Sequence, residues 1–148
     1  MAKRGIRNRN PGNLDFNARA FRRDPWVGEL GIEKHRWPRF TTFENEVFGI
    51  RAMAKVLLTY HRHRKAADGS AIDTVQEIID RWAPPVENDT DAYAAMVRRS
   101  LDVETGEEID PDNPAVLFVL VESIIRHENG VQPYGEATLK VGVDLALG

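Results

Sequence analysis

The sequence has 148 residues, 42% hydrophobic and 29% charged. That is the size and make-up of one globular domain in water, with no low-complexity tract and no apolar run long enough to cross a membrane. Cysteine is absent, which excludes disulfides and thiolate metal sites and leaves packing to hold the fold. The net charge of −3 conceals an asymmetry: residues 1–66 carry 15 Lys and Arg against 6 Asp and Glu, and the remainder carries 5 against 17. A basic first half suits an anionic polymer of the cell envelope, nucleic acid, or pairing with the acidic second half.

The basic start, MAKRGIRNRN, leads into no apolar segment, so neither a secretion signal nor a membrane anchor is expected. From Lys3 to Phe40 the groups NPGN, RRDPW, VGELG and RWPRF set Gly, Pro, Asn and aromatics too close together for a long helix. This region reads as loops with one short hairpin, from about Trp26 to Thr42, turning near Gly31.

Beyond it the apolar spacing becomes helical. Val47, Ile50, Ala54, Leu57 and Leu58 predict a helix over about 44–65, ending before Asp68-Gly69. Ile72, Val75, Ile78 and Ile79 mark a second, which stops at Ala83-Pro84-Pro85. A third, capped by Asn88, Asp89 or Thr90, turns Tyr93, Met96, Val97 and Leu101 inward. Asp112 or Asn113, with Pro114 in the first turn, starts a fourth over 114–127, the expected core helix. A short helix over 136–147 closes the chain, giving a mainly helical fold with a small irregular lobe in front.

The fourth helix carries the most informative acid. Leu117, Val121, Ile124 and Ile125 define its buried face, and Glu128 falls on the same face four residues beyond Ile124. Desolvation by the core and the negative end of the helix dipole both favour its protonated form. A neutral carboxylic acid at a cleft edge is what protonation of a leaving glycosidic oxygen requires. The structural alternative is a frayed helix end, with Glu128 in water or paired to Arg126 or His127. His61 and His63, two apart on a helix, face different ways and make a poor metal pair, and there is no His-Glu-x-x-His, no phosphate loop and no Gly-x-Ser-x-Gly. No metal and no cofactor are expected.

The segment VESIIRHENGVQPYG resembles the glutamate helix and following loop of lysozyme-like peptidoglycan hydrolases. NRNPGNL, WVGELGIEKHRWPRF, FGIRAMAKVLLTY and NDTDAYAAMV resemble the parts of bacterial glucosaminidases in a rotated order, as in a circularly permuted member of the lysozyme superfamily. Four segments in order, RGIRNRNPGNL, FGIRAMAKVL, RWAPPVENDTDAY and IIRHENGVQPY, resemble small phage and prophage virion-associated, lysozyme-like proteins across nearly the whole chain.

The resemblance implies one α+β lysozyme-like domain, with a loop and hairpin lobe over 1–43 and a helical lobe over 44–148. It implies a monomer in the virion or host cytoplasm that is delivered to the wall and acts on the glycan strand of bacterial peptidoglycan, with other virion proteins as further partners and no insertion into a membrane. Glu128 would be the general acid and Glu33 the second catalytic group, with Glu29 and then Glu44 and Glu46 behind it. Asn10, Asn13, Asn88, Thr90, Tyr93 and Trp37 would bind sugar, and Trp26 and Phe40 could stack on it. Each has a structural alternative: turn residues for Asn10 and Asn13, helix cap for Asn88 and Thr90, core aromatic for Tyr93. An amidase is disfavoured by the missing metal ligands, and the non-enzymatic alternative is a virion structural or nucleic-acid-binding protein using KRGIRNRN and HRHRK on phosphates.

Overall fold

Four of the long helices begin at side-chain caps. Asn45 accepts from Val47 N, Asp89 from Ala92 N and Asn113 from Ala115 N, while Thr74 and Glu77 form a reciprocal capping box. The computed structural model describes residues 3–148; of the basic start, Met1 and Ala2 lie outside the described residues. In it these caps open α3 (Glu46–His63), α4 (Val75–Trp82), α5 (Thr90–Leu101) and α6 (Pro114–Asn129), and α7 (Glu136–Leu147) ends the chain. Asp102 and Gly130, both left-handed, stop α5 and α6. The fold is mainly helical with one small antiparallel hairpin, as expected.

α6 is the core helix. Leu117, Leu120, Val121, Ile124 and Ile125 are fully buried against Ile50, Met53 and Leu57 of α3, Ile78 and Ile79 of α4, Tyr93 and Val97 of α5, and Leu139 and Val143 of α7. α7 lies close on α3: a Cβ on Gly142 would come within 2.4 Å of Ile50 Cγ2. Burying this apolar surface is the main stabilising term in a chain without cross-links.

The front lobe departs from the expected loops. It contains α1 (Arg4–Arg7) and α2 (Ala18–Arg23), too short to show a helical period in sequence, before the hairpin of β1 (Glu29–Ile32) and β2 (Thr41–Phe43). Gly31 is not the turn. It sits inside β1 with φ 118°, opposite Thr42, at an irregularity between Glu29 and Gly31, and the connection runs through 33–40. Glycine in a strand marks a bulge or close approach as readily as a turn, and here the Phe21 ring of α2 lies 3.5 Å from where a Cβ would be. Among the contacts that fasten the lobe to the helices, Asn129 Nδ2 donates to Pro11 O (2.9 Å), and Arg9 O occupies the space of a Cβ on Gly49.

Candidate functional site

α6 runs two residues further than its apolar pattern predicts, so Glu128 lies within its last helical turn, half-buried where the helical lobe meets the front lobe. Its two carboxylate oxygens have separate donors: Asn13 Nδ2 from the front lobe at 3.3 Å and the Tyr93 hydroxyl from α5 at 3.0 Å. Tyr93 is buried, and its ring stacks on His127 at 3.7 Å between centroids. Burial first, and then the charge of Glu128, push the Tyr93 phenol far above its ordinary value of 10, so it remains a donor at any physiological pH. Asn13 reaches Glu128 from a left-handed backbone (φ 52°). Gly5 makes room beneath it: a Cβ there would lie 2.8 Å from the amide oxygens of both Asn13 and Asn129.

These groups open onto a cleft of about 580 Å3 between the lobes. Its front wall is Gly12 to Asp15 with Arg39 and Phe40; its helical wall is Tyr60, Arg81 to Pro84, Glu87 and Asn88, with Glu128 between them. Arg39 donates to Asp15 at 2.8 Å and extends to within 4.0 Å of Glu87 on the opposite wall. A concave polar site of this size, with a few convergent carboxylates and aromatic surface, suits a ligand as large as a sugar unit.

Glu128, Asn13, Tyr93, Asn88 and Phe40 are thus brought to one place. Asn88 is exposed on the cleft wall and donates to Pro84 O at 3.2 Å. Glu33 is not brought there, and this corrects the assignment of a catalytic role. Its buried carboxylate takes Arg4 Nε (2.8 Å), Arg4 Nη2, Asn8 Nδ2 (3.0 Å) and the backbone N–H groups of Arg39 (3.0 Å) and Phe40 (2.8 Å). Arg4 above all holds its pKa far below the ordinary 4.5. With every lone pair engaged, Glu33 is the knot of the front lobe and has no oxygen left for substrate.

Asn10 is corrected likewise: fully buried, it donates to Leu14 O and Thr41 O and accepts from Leu14 N. Thr90 is buried with its hydroxyl on Ala83 O at 2.7 Å, shaping the wall from behind. Trp37 is 71% exposed beside Arg36 and lies outside the cleft. Glu29 accepts from Trp26 N and the Thr41 hydroxyl, and neither it, Glu44 nor Glu46 lines the cleft. Asp15, Arg39, Tyr60 and Trp82 escaped the sequence reading, because no local pattern marks residues that converge from four separate segments.

Among the described residues, one group of possible metal ligands forms away from the cleft. His61 Nε2 lies 3.7 Å from both Asp110 Oδ1 and Asp112 Oδ2, with Nδ1 on Ile72 O and Arg62 paired to Asp112. His63 stays exposed, as its spacing from His61 predicts.

A buried helix whose last turn carries a glutamate held by two donors in a polar, two-walled cleft defines a small helical protein with a carboxylate-centred candidate site. No protein-family model matches the sequence. It is 32% identical to Protein P5 of Pseudoalteromonas phage PM2 over 144 residues, 97% of this chain and 81% of that protein. The chain belongs to the family of that phage protein.

Proposed function

We propose that the protein cleaves the glycan strand of bacterial peptidoglycan, with Glu128 as the general acid. The observation that carries this reading is the placement of Glu128: half-buried at the end of the core helix, facing the interlobe cleft of about 580 Å3, each oxygen held by a neutral donor. Protonated Glu128 gives its proton to the bridging oxygen as the bond from that oxygen to C1 breaks, leaving an oxocarbenium-like centre. Asn13 and Tyr93 then stabilise the carboxylate that remains, since hydrogen bonds to a charged acceptor are the stronger kind.

Asp15, from the front wall, replaces Glu33 as the second acid. In hydrolysis it takes a proton from the water that adds to C1; in transglycosylation a hydroxyl of the sugar itself adds there, its proton passes to a cleft carboxylate, and no water enters. Arg39, paired to Asp15 at 2.8 Å, orients the carboxylate for either role. The resemblance to phage lysozyme-like proteins and the kinship with a phage protein both favour a role in breaching the wall at entry or release.

The test is digestion of purified peptidoglycan by wild type and Glu128→Gln, with reduced products resolved by mass spectrometry. Wild type should release disaccharide muropeptides and the mutant almost none; an anhydro sugar, one water lighter, identifies transglycosylation. A folded Glu128→Gln protein that cuts as well as wild type would sink the assignment. The exposed Arg19, Arg22 and Arg23 on α2 favour the second reading, a non-enzymatic phosphate-binding virion protein. A strongly salt-dependent shift of duplex DNA, without glycan cleavage, would establish it instead.

A further inference from the structure

A second groove of about 350 Å3 opens beside the cleft and shares Asp15 with it. Its walls come from α2, the segment that follows it, and α3, with the half-buried Trp26 as its aromatic surface. Arg51 and Lys55 enter it from α3, one helical turn apart on the same face and both half-buried. Among the described residues neither has an ion pair or a hydrogen bond, whereas Arg4 is paired to Glu33 and Arg39 to Asp15. Two like charges four residues apart repel, and partial burial adds to the penalty. The acids in the groove do not relieve it: Asp15 is held by Arg39, and Glu29 by Trp26 N and the Thr41 hydroxyl. Only the exposed Asp24 is left.

The groove therefore offers two uncompensated cations, an aromatic surface and one free carboxylate. We propose that it is a subsite for the stem peptide of peptidoglycan, whose carboxylates would meet Arg51 and Lys55 and whose free amine would meet Asp24. This rests on the glycan-cleaving reading, because a glycan lying along the cleft passes Asp15, where its peptide branch can enter the groove. The subsite favours cross-link-poor, peptide-bearing strands over bare glycan.

Two measurements on the full chain test it. Titration of a synthetic stem peptide into uniformly 15N-labelled protein, followed by NMR, should move the Trp26 indole signal in wild type. In Arg51→Gln/Lys55→Gln the apparent affinity should fall about tenfold, the loss expected when charge-assisted hydrogen bonds go. Both side chains are unpaired, so this variant should melt no lower than wild type. In parallel, the variant should raise KM about tenfold on peptide-bearing strands relative to strands stripped of peptide, while Lys140→Gln, a remote charge loss, should not.

Peptide binding that ignores the double substitution, or is absent while glycan is still cut, overturns the subsite and leaves the glycosidase reading standing. Peptide binding that depends on Arg51 and Lys55 in a protein that cuts no glycan supports the subsite and overturns the glycosidase reading.

Discussion

At the scale of single residues, Glu128 and Glu33 show how environment divides two similar carboxylates. Glu33 is bound by Arg4 and two backbone N–H groups, and Glu128 by two neutral side chains beside open space. Tyr93→Phe removes one donor to Glu128 while keeping the ring on His127; we expect kcat on peptidoglycan to fall about tenfold with the fold intact, measurable by turbidity loss of sacculi. Tyr93 also sets an alkaline limit. Its folded pKa lies above the unfolded value of 10, so the stability tied to its neutral form is complete below pH 10 and drains away as pH climbs past it. Tyr134, which burial pushes up to about 12, adds to the same loss. Thermal melts from pH 9 to 11 should fall in wild type and fall less steeply in Tyr93→Phe.

Glu33 works in the opposite direction. Its pKa is depressed in the fold, so its contribution is present above the ordinary 4.5 and disappears as pH falls through and below it. Glu33→Gln should cost about 2 kcal/mol at neutral pH, because buried donors lose their charged acceptor. It should also flatten the acid limb of unfolding below pH 4.5. A mutant with an unchanged acid limb would show that the Arg4–Glu33 pair carries little of the front lobe's stability.

At the scale of elements, the fold depends on close approaches at glycines, two of them against α3. Gly142 lets α7 lie against Ile50 of α3, and Gly49 lets the backbone at Arg9 lie against α3. Gly142→Ala should destabilise by about 1–3 kcal/mol through overpacking, despite the better helix propensity of alanine. Gly49→Ala should do more harm, since the obstructing group is a carbonyl oxygen and cannot rotate away. Chemical denaturation read by circular dichroism ranks the two, and equal effects would contradict the packing argument. The hairpin sits at this scale as well. The sequence reading of a hairpin over about 26–42 holds, but its turn near Gly31 does not: Gly31 pairs with Thr42 inside the strand at φ 118°, a conformation glycine adopts without strain.

At the scale of the whole molecule, the charge asymmetry between the halves is expressed in ion pairs that join them. Arg62–Asp112 and Arg39–Glu87 cross from the basic half to the acidic one, along with His61 near Asp110 and Asp112. These are exposed pairs, so raising salt should change stability by less than about 1 kcal/mol. On the glycan-cleaving reading, the effect of salt should appear in binding to an anionic wall, to which the exposed arginines of α2 are open.

The sequence by itself determined the five long helices, the caps of α5 and α6 and the buried face of α6, because helix formation reads a local period and a local cap. It also determined that Glu128 shares that face, since 3.6 residues per turn fixes direction from spacing alone. What only the tertiary structure decided was the company Glu128 keeps. Asn13 arrives from a turn 115 residues away, Asp15 and Arg39 come from the front lobe, and Glu33 is drawn off by Arg4. Such partnerships arise when separate segments bury apolar surface together, and that packing has no period in the chain to announce it.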